Sequence, residues 1–215
     1  NKLLYLVSGK SDTFLEAGEA IIVGNLLYTE NCSEAFIAIR AIETGSSKVL
    51  FARTARARIS EDEMAELGLV YRDMTTDKLP RIRKESEEKL FKALERADGK
   101  ATGFSIVFDT PKTEDLPMWS RIGYFEAIEM ASSARLILFD RDLLLTLFEE
   151  AGLDSEGGQM LTFGDALISL KLEEISDSGA LSVKIYDRGN SALFAVAKLE
   201  ISDGSDDRIT KPWDD

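Results

Sequence analysis

Three aspartates follow apolar segments that have the composition of buried strands. Asp109 comes directly after residues 104–108, and Asp140 and Asp142 come after residues 136–139. If the two strands end at the same sheet edge, these carboxylates can share a hard cation, because Mg²⁺ and Mn²⁺ bind to clustered oxygen ligands. Asp109, Asp140 and Asp142 are therefore candidate catalytic and metal-binding residues of a magnesium- or manganese-dependent phosphoryl-transfer enzyme or nuclease.

The same aspartates also have a structural interpretation, which we favour. An aspartate between a strand and a helix accepts hydrogen bonds from the free N–H groups of the first helical turn and complements the positive end of the helix. Asp140 and Asp142 both precede a segment with helical character, and Asp109 opens a turn with Thr110 and Pro111. In this interpretation the protein needs no cofactor.

Two short segments resemble motifs of metal-dependent families. Residues 136–142 resemble the first motif of haloacid-dehalogenase-type phosphatases, in which an apolar strand ends in two aspartates one residue apart. Residues 4–12 resemble the opening strand of a topoisomerase–primase metal domain, with Asp140 and Asp142 as its later acidic motif. The Gly-Thr of the first motif is replaced by Leu143 and Leu144, and the essential glutamate of the second by Ser8. The chain is therefore assigned to neither family.

A basic stretch gives a second candidate site. Residues 48–58 contain no acid but include Arg53, Arg56 and Arg58, which are candidates for binding phosphate or nucleic acid. Arg56 and Arg58 alternate with alanines, however, and this alternation is typical of a strand with one solvated face. We favour the interpretation that these arginines pair with some of the surplus carboxylates.

Composition excludes several classes of chemistry. The 215 residues include no histidine and one cysteine, Cys32, so that serine–histidine triads, cysteine–histidine dyads and ordinary zinc sites are absent. No disulfide can form within the chain, which favours a reducing compartment and predicts a cytoplasmic protein. The net charge of −13 disfavours nucleic acids and anionic membranes, and no apolar run has the length of a membrane span.

Hydrophobic periodicity predicts an α+β fold. Antiparallel strands are expected near the N-terminus, helices with two intervening strands in the centre, and a three-stranded antiparallel meander near the C-terminus. Residues 1–202 form one predicted domain, and residues 203–215 an acidic, disordered tail. The predicted strands are 3–7, 20–29, 35–44, 48–59, 103–108, 135–139, 166–175, 180–186 and 192–201, and the main helices are 80–97, one beginning at Asp115, and 143–151.

These features favour a non-enzymatic protein-interaction domain: an adaptor, an inhibitor or a complex subunit. It would bind a protein partner through its acidic surface and exposed strand edges, and it could also form a homo-oligomer. One version is an acidic inhibitor that occupies a basic groove on its partner. The alternatives are the metal-dependent enzyme and a nucleic-acid-binding module that uses the basic strand.

Overall fold

The computed structural model describes residues 3–6, 20–29, 34–58, 60, 62, 66, 78–109, 116–140, 143, 164–175 and 178–202. Its fold is α+β, with ten strands and two helices of known extent in these ranges. In chain order these elements are β1 (Leu3–Leu6), β2 (Ala20–Tyr28), β3 (Glu34–Glu43), β4 (Val49–Arg58), β5 (Arg81–Ile82), α1 (Lys84–Ala97), β6 (Phe104–Asp109), α2 (Met118–Ser133), β7 (Leu138–Phe139), β8 (Ala166–Ile175), β9 (Ser178–Asp187) and β10 (Leu193–Ser202).

The first four strands form an antiparallel sheet in sequence order, here called the N-terminal sheet. Residues 45–47, between the predicted strands 35–44 and 48–59, form the turn that joins β3 to β4, and Ser47 takes a positive φ there. Along β2 and β3 buried and exposed residues alternate, as expected where one face of a sheet packs on a core. The inner face of this sheet contributes Val23, Phe36 and Ile42 to the core.

The remaining strands form a second, mixed sheet in the order β5-β10-β9-β8-β6-β7, here called the C-terminal sheet. Strands β8, β9 and β10 form the predicted antiparallel meander. Strand β6 pairs in parallel with both β7 and β8. The two strands from the middle of the chain, β6 and β7, therefore lie at one side of this sheet. The two sheets meet at one antiparallel bridge between Lys48 and Phe139.

The second helix, α2, lies between the two sheets. Ile122 and Phe125 pack with Phe36 of the N-terminal sheet. Ala127 and Ile128 lie in the larger core with the apolar residues of β8, β9 and β10. Because the helix is buried on two sides, apolar residues surround it rather than forming one stripe. Helix α1 covers the C-terminal sheet with Leu90 and Leu94 and runs mainly along β10.

The predicted start of the first long helix was wrong. Residues 81–82 are strand β5 and not helix, because they pair with Ile201 and Ser202 of β10, and the Arg83 N–H donates a hydrogen bond to the Glu200 carbonyl. The helix therefore begins only at Lys84. Its predicted end at residue 97 is confirmed, and Gly99 takes a positive φ just beyond the last turn.

Two further boundaries differ from the prediction. Helix α2 begins at Met118, with Pro117 at its N-cap, while Asp115 lies outside the described residues. Strand β7 is shorter than predicted because Arg135, in a left-handed conformation, is still part of the turn that closes α2. The helix expected at residues 143–151 and the acidic tail also lie outside the described residues, apart from the helical Leu143. Neither described helix combines the length and the apolar composition that crossing a membrane requires.

Candidate functional site

The structure places the predicted acidic residues in different environments. Asp109 is the exposed last residue of β6, whereas Asp140 is buried just after β7. In the parallel pairing of these strands Phe139 is level with Ser105, so Asp140 falls level with Ile106 and three positions before Asp109. At a rise of about 3.3 Å per residue this separates the two by roughly 10 Å along the sheet, and strand alternation puts them on opposite faces.

No metal-binding cluster is therefore built from the aspartates that the structure describes. Asp142 lies outside the described residues. Within the described ranges, no group of three or more carboxylate or cysteine side chains is arranged to hold a metal ion.

Asp140 instead forms a buried ion pair with Arg40 of β3. Its Oδ2 atom lies 2.5 Å from Arg40 Nη1, and the two side chains are only 3% and 5% exposed. Asp140 Oδ1 also accepts a hydrogen bond of 3.3 Å from the Leu143 N–H, the contact expected of an aspartate that caps a helix. The Asp140 N–H donates to the Ser47 carbonyl at 2.9 Å, which ties the end of β7 to the β3–β4 turn.

Aromatic rings surround the Arg40 guanidinium. It lies 5.5 Å from the centre of the Tyr124 ring and 5.3 Å from that of Phe125, and its Nη1 donates to Tyr124 Oη at 3.3 Å. Burial alone would lower the pKa of Arg40, but the interactions with Tyr124 and Asp140 outweigh it and raise that pKa above the ordinary value. The arginine thus stays charged inside the core, where it joins the two sheets and is closed to solvent.

The predicted basic residues each have a carboxylate partner. Arg56 Nη2 lies 2.8 Å from Glu126 Oε1 of α2, and Arg53 Nη1 lies 3.9 Å from Glu129 Oε1 of the same helix. Arg58 Nε lies 3.9 Å from Glu34 Oε1. The interpretation that these arginines pair with carboxylates is confirmed. Strand alternation also places Arg53 on the opposite face of β4 from Arg56 and Arg58, so the three do not form one basic face.

Helix α2 covers the outer edge of β4 with carboxylates. Glu129 Oε2 accepts a hydrogen bond of 3.0 Å from the Thr54 N–H and a second one from the Thr54 hydroxyl. Glu126 is held beside Arg56, which lies 5.2 Å from the centre of the Phe36 ring. Burial raises the pKa of Glu126 above its usual range, although Arg56 opposes this shift. The edge of β4 is thus closed to strand addition at Thr54.

A groove of about 890 Å³ lies between this edge and α1. Its walls carry both charge signs, with glutamates of α1 and α2 interleaved with basic side chains. The charged lining residues are Arg56, Arg81, Lys84, Glu87, Glu88, Lys92, Glu95, Glu126 and Glu129. This mixed lining does not select a ligand of one charge.

The outer face of the N-terminal sheet is apolar and exposed. Its large side chains lie side by side on the hydrogen-bonded strands β2, β3 and β4, and each is 36–48% exposed. The register adds Gly24, Ala55 and Ala57 to the same face. Its charged residues in β2, β3 and β4 are Arg53 and, at the end of β3, Glu43. We call this surface the apolar face; its large residues are Ile22, Leu26, Tyr28, Ile37, Ile39 and Phe51.

Sequence reasoning missed both the apolar face and Arg40. The run of residues 35–42 is apolar at every position except Arg40, and a single arginine in such a strand is a sign of a buried ion pair. The strands β2 and β3 are apolar on both faces, which predicts a sheet covered on both sides.

Comparisons with known proteins were made at the levels of family, sequence and structure. No protein-family model matches the chain, and no curated protein is significantly similar to it. Two solved structures overlap with about half of it. The LpoB C-terminal domain from Salmonella enterica has 14% identity and a TM-score of 0.32, and the match covers 54% of this chain and 95% of that one. The LpoB C-terminal domain from Escherichia coli has 13% identity and a TM-score of 0.32, with 55% and 98% covered. Scores of this size support no argument about fold or function.

Proposed function

We propose that this protein is a non-enzymatic interaction domain, an adaptor, inhibitor or complex subunit, which binds a protein partner through the apolar face. The observation that carries the proposal is the exposure of six large apolar side chains on one side of a regular sheet. Sheets whose strands are apolar on both faces normally have both faces covered. Large exposed apolar patches of this kind mark interaction sites.

The size of the apolar face fits the core of an interface. Three strands about 4.8 Å apart, each with four outward residues about 6.8 Å apart, span roughly 400 Å². At about 25 cal/mol per Å², burying this area contributes roughly 10 kcal/mol. Because association itself costs about 4–15 kcal/mol, a polar rim must add to the contact before binding is stable.

The charge of the chain favours a basic partner. A net charge of −13 attracts a positively charged protein at long range and repels a second copy of this chain. We therefore propose a partner that combines net positive charge with an exposed apolar surface. The same charge argues against binding to nucleic acid or an anionic membrane, and the composition argues for the reducing cytoplasm.

The proposal assigns no role to a metal. Asp140 is committed to Arg40 and Asp109 lies apart from it, so the described carboxylates support neither phosphoryl transfer nor nuclease chemistry. Arg53, Arg56 and Arg58 each lie within 4 Å of a carboxylate and do not share one face of β4, which disfavours the nucleic-acid interpretation.

The test compares two variants with the same change in chemistry. Ile37→Lys places a charge in the apolar face, and Ile137→Lys places one at an isoleucine of comparable exposure outside it, 44% against 36%. Both should keep the melting temperature of the wild type within a few degrees, since surface substitutions rarely change stability by more than about 0.5 kcal/mol. In quantitative capture, the immobilised wild type and Ile137→Lys should retain the same basic partner, and Ile37→Lys should lose it. The association of the partner with the wild type should slow as the salt concentration rises.

Two outcomes would contradict this function. Equal capture by Ile37→Lys and the wild type would remove the apolar face as the binding surface. A wild-type dimer in sedimentation that Ile37→Lys converts to monomer would show that a second copy covers the face instead of a basic partner.

A further inference from the structure

Strand β10 has a free edge along most of its length. It pairs with β9 on one side from Leu193 to Ile201, but on the other side β5 reaches only Ile201 and Ser202. No other strand in the described part of the chain pairs with that side. The remaining edge, residues 194–199, is roughly 20 Å long, which is enough for a strand of about six residues.

The direction of the backbone groups along this edge follows from one hydrogen bond. The Glu200 carbonyl accepts from the Arg83 N–H, so the polar groups of Glu200 point away from β9. In an antiparallel ladder every second residue points the same way, and the register is regular from Ala195 to Ile201. The N–H and C=O groups of Val196 and Lys198 are therefore directed to the free edge.

A cleft of about 450 Å³ runs beside this edge. Helix α1 forms one wall with the exposed residues Lys89, Lys92 and Arg96, and β10 forms the other with Val196 and Lys198. Val196 is 53% exposed, so that an apolar side chain is available next to the free backbone groups.

The cleft carries a net positive charge in a strongly acidic chain, because its charged lining residues are Lys89, Lys92, Arg96, Lys198 and a single carboxylate, Glu173. Among the described residues no carboxylate oxygen lies within 4 Å of the charged nitrogens of Lys89, Lys92 or Arg96. Lys198 has one partner, Glu173 at 3.5 Å, in a pair that is exposed on both sides. Uncompensated cations beside a free strand edge select for negative charge on whatever binds there.

We propose that the free edge of β10 binds an acidic, extended segment of a partner protein as an added strand. Its backbone pairs with Val196 and Lys198, its acidic side chains alternate toward Lys89, Lys92 and Arg96, and its other side chains pack beside Val196. A second copy of this chain is disfavoured, because pairing β10 with β10 would bring the two sets of cations together. This site is separate from the apolar face and does not depend on the function proposed for it.

The probe is a fluorescent nine-residue peptide of alternating glutamate and valine. We expect saturable binding in anisotropy, with slower amide exchange at Val196 and Lys198. A peptide of alternating lysine and valine should not bind, nor should a glutamate–valine peptide with alternate N-methylated residues. Arg96→Glu should weaken binding about tenfold or more. Lys171→Glu, which makes the same reversal of charge on the exposed face of β8, should leave binding within twofold.

Val196→Pro tests the backbone pairing directly. Proline at position 196 removes one of the two N–H groups that face the free edge, and it breaks no hydrogen bond to β9. The fold should therefore survive, because proline is tolerated on edge strands. Val196→Pro should abolish peptide binding, and Val196→Thr, which keeps the N–H, should retain it. If Val196→Pro does not fold, the exchange data on the wild type decide the question.

Several results would overturn the proposal. One is that the glutamate–valine peptide does not bind at millimolar concentration. Another is that Arg96→Glu or Val196→Pro binds this peptide as tightly as the wild type does, and a third is that the lysine–valine peptide binds the wild type equally well. Tighter binding of a single-stranded oligonucleotide that also depends on Arg96 would assign the cleft to nucleic acid. Because Ile37→Lys should leave peptide binding unchanged, failure here is distinguishable from failure of the apolar face.

Discussion

Arg40 on β3 and Asp140 after β7 form the buried ion pair that joins the two sheets, with Nη1 and Oδ2 2.5 Å apart. The pair lies beside the Lys48–Phe139 bridge, where the sheets also share backbone pairing. A buried pair of this kind contributes little net free energy, but removing one partner leaves an uncompensated charge in the core. Replacing either residue alone should therefore destabilise the protein far more than replacing both together.

Asp140→Asn should lower the free energy of unfolding by about 3–5 kcal/mol, because Arg40 would remain charged and buried without its counterion. Arg40→Met should be similarly severe. The double variant Arg40→Met/Asp140→Leu should recover much of the loss. Urea unfolding of the wild type, Arg40→Met, Asp140→Leu and the double variant gives the coupling energy. Asparagine keeps an oxygen that can cap the helix, so a loss of only about 1 kcal/mol or less in Asp140→Asn would contradict the ion-pair account.

Local patterns were sufficient to predict most of the strands. Each long strand has β-branched or apolar residues between turn residues, and the meander β8-β9-β10 follows from its short connections. The start of α1 could not be found this way, because Arg81 and Ile82 become a strand only by pairing with β10, more than a hundred residues later. The parallel pairing of β6 with β8 is equally non-local.

The candidate sites show the same division. That Arg56 pairs with a carboxylate followed from charge balance, but its partner Glu126 could be named only once α2 was placed against β4. Asp140 stood out in the sequence for the right local reason, as a residue between a strand and a helix. Its partner Arg40 lies a hundred positions away, and nothing in the sequence of either segment specifies their contact.

The positions of Asp109 and Asp140 lead to a prediction about metals. Mg²⁺ or Mn²⁺, added over a concentration series after EDTA treatment, should produce no saturable rise in melting temperature, because the two described carboxylates lie on opposite faces about 10 Å apart. Asp109→Asn should melt like the wild type with and without metal. A saturable rise that is lost in Asp109→Asn would restore the phosphoryl-transfer interpretation.

Glu126 should make stability depend on pH in the direction opposite to an ordinary ion-paired carboxylate. Burial raises its folded pKa above the unfolded value, so the folded protein binds this proton more tightly. The wild type should therefore gain stability relative to Glu126→Gln as pH falls through the folded pKa, and the gain should be complete below the unfolded pKa. The difference in free energy of unfolding between the two proteins, measured from pH 7 to pH 4, tests this sign.

The partner of Glu126 provides the control for that titration. Arg56 holds the carboxylate at 2.8 Å and opposes the effect of burial. Arg56→Met should therefore raise the pKa of Glu126 further, and carbon-detected NMR of the Glu126 carboxyl can follow this directly. An unchanged or lower pKa in Arg56→Met would show that Arg56 does not oppose the effect of burial on Glu126.

Gly179 of β9 supports the indole ring of Trp119 on α2. A Cβ atom at Gly179 would overlap three atoms of that ring. The indole is a rigid bicycle, so it cannot relieve the overlap by rotating a terminal bond as a flexible side chain would. Gly179→Ala should therefore lower the free energy of unfolding by about 1–3 kcal/mol, as overpacking usually does, and should shift the tryptophan emission as the ring moves toward water.

Gly189→Ala is the matched control in an exposed turn, where the nearest atom to the new Cβ is Asp187 Oδ1 at 3.3 Å, and it should be close to neutral. In a Trp119→Ala background the cost of Gly179→Ala should largely disappear, because the overlapping ring is gone. A full cost that persists in that background would mean that the strand backbone, and not the indole, requires glycine at position 179.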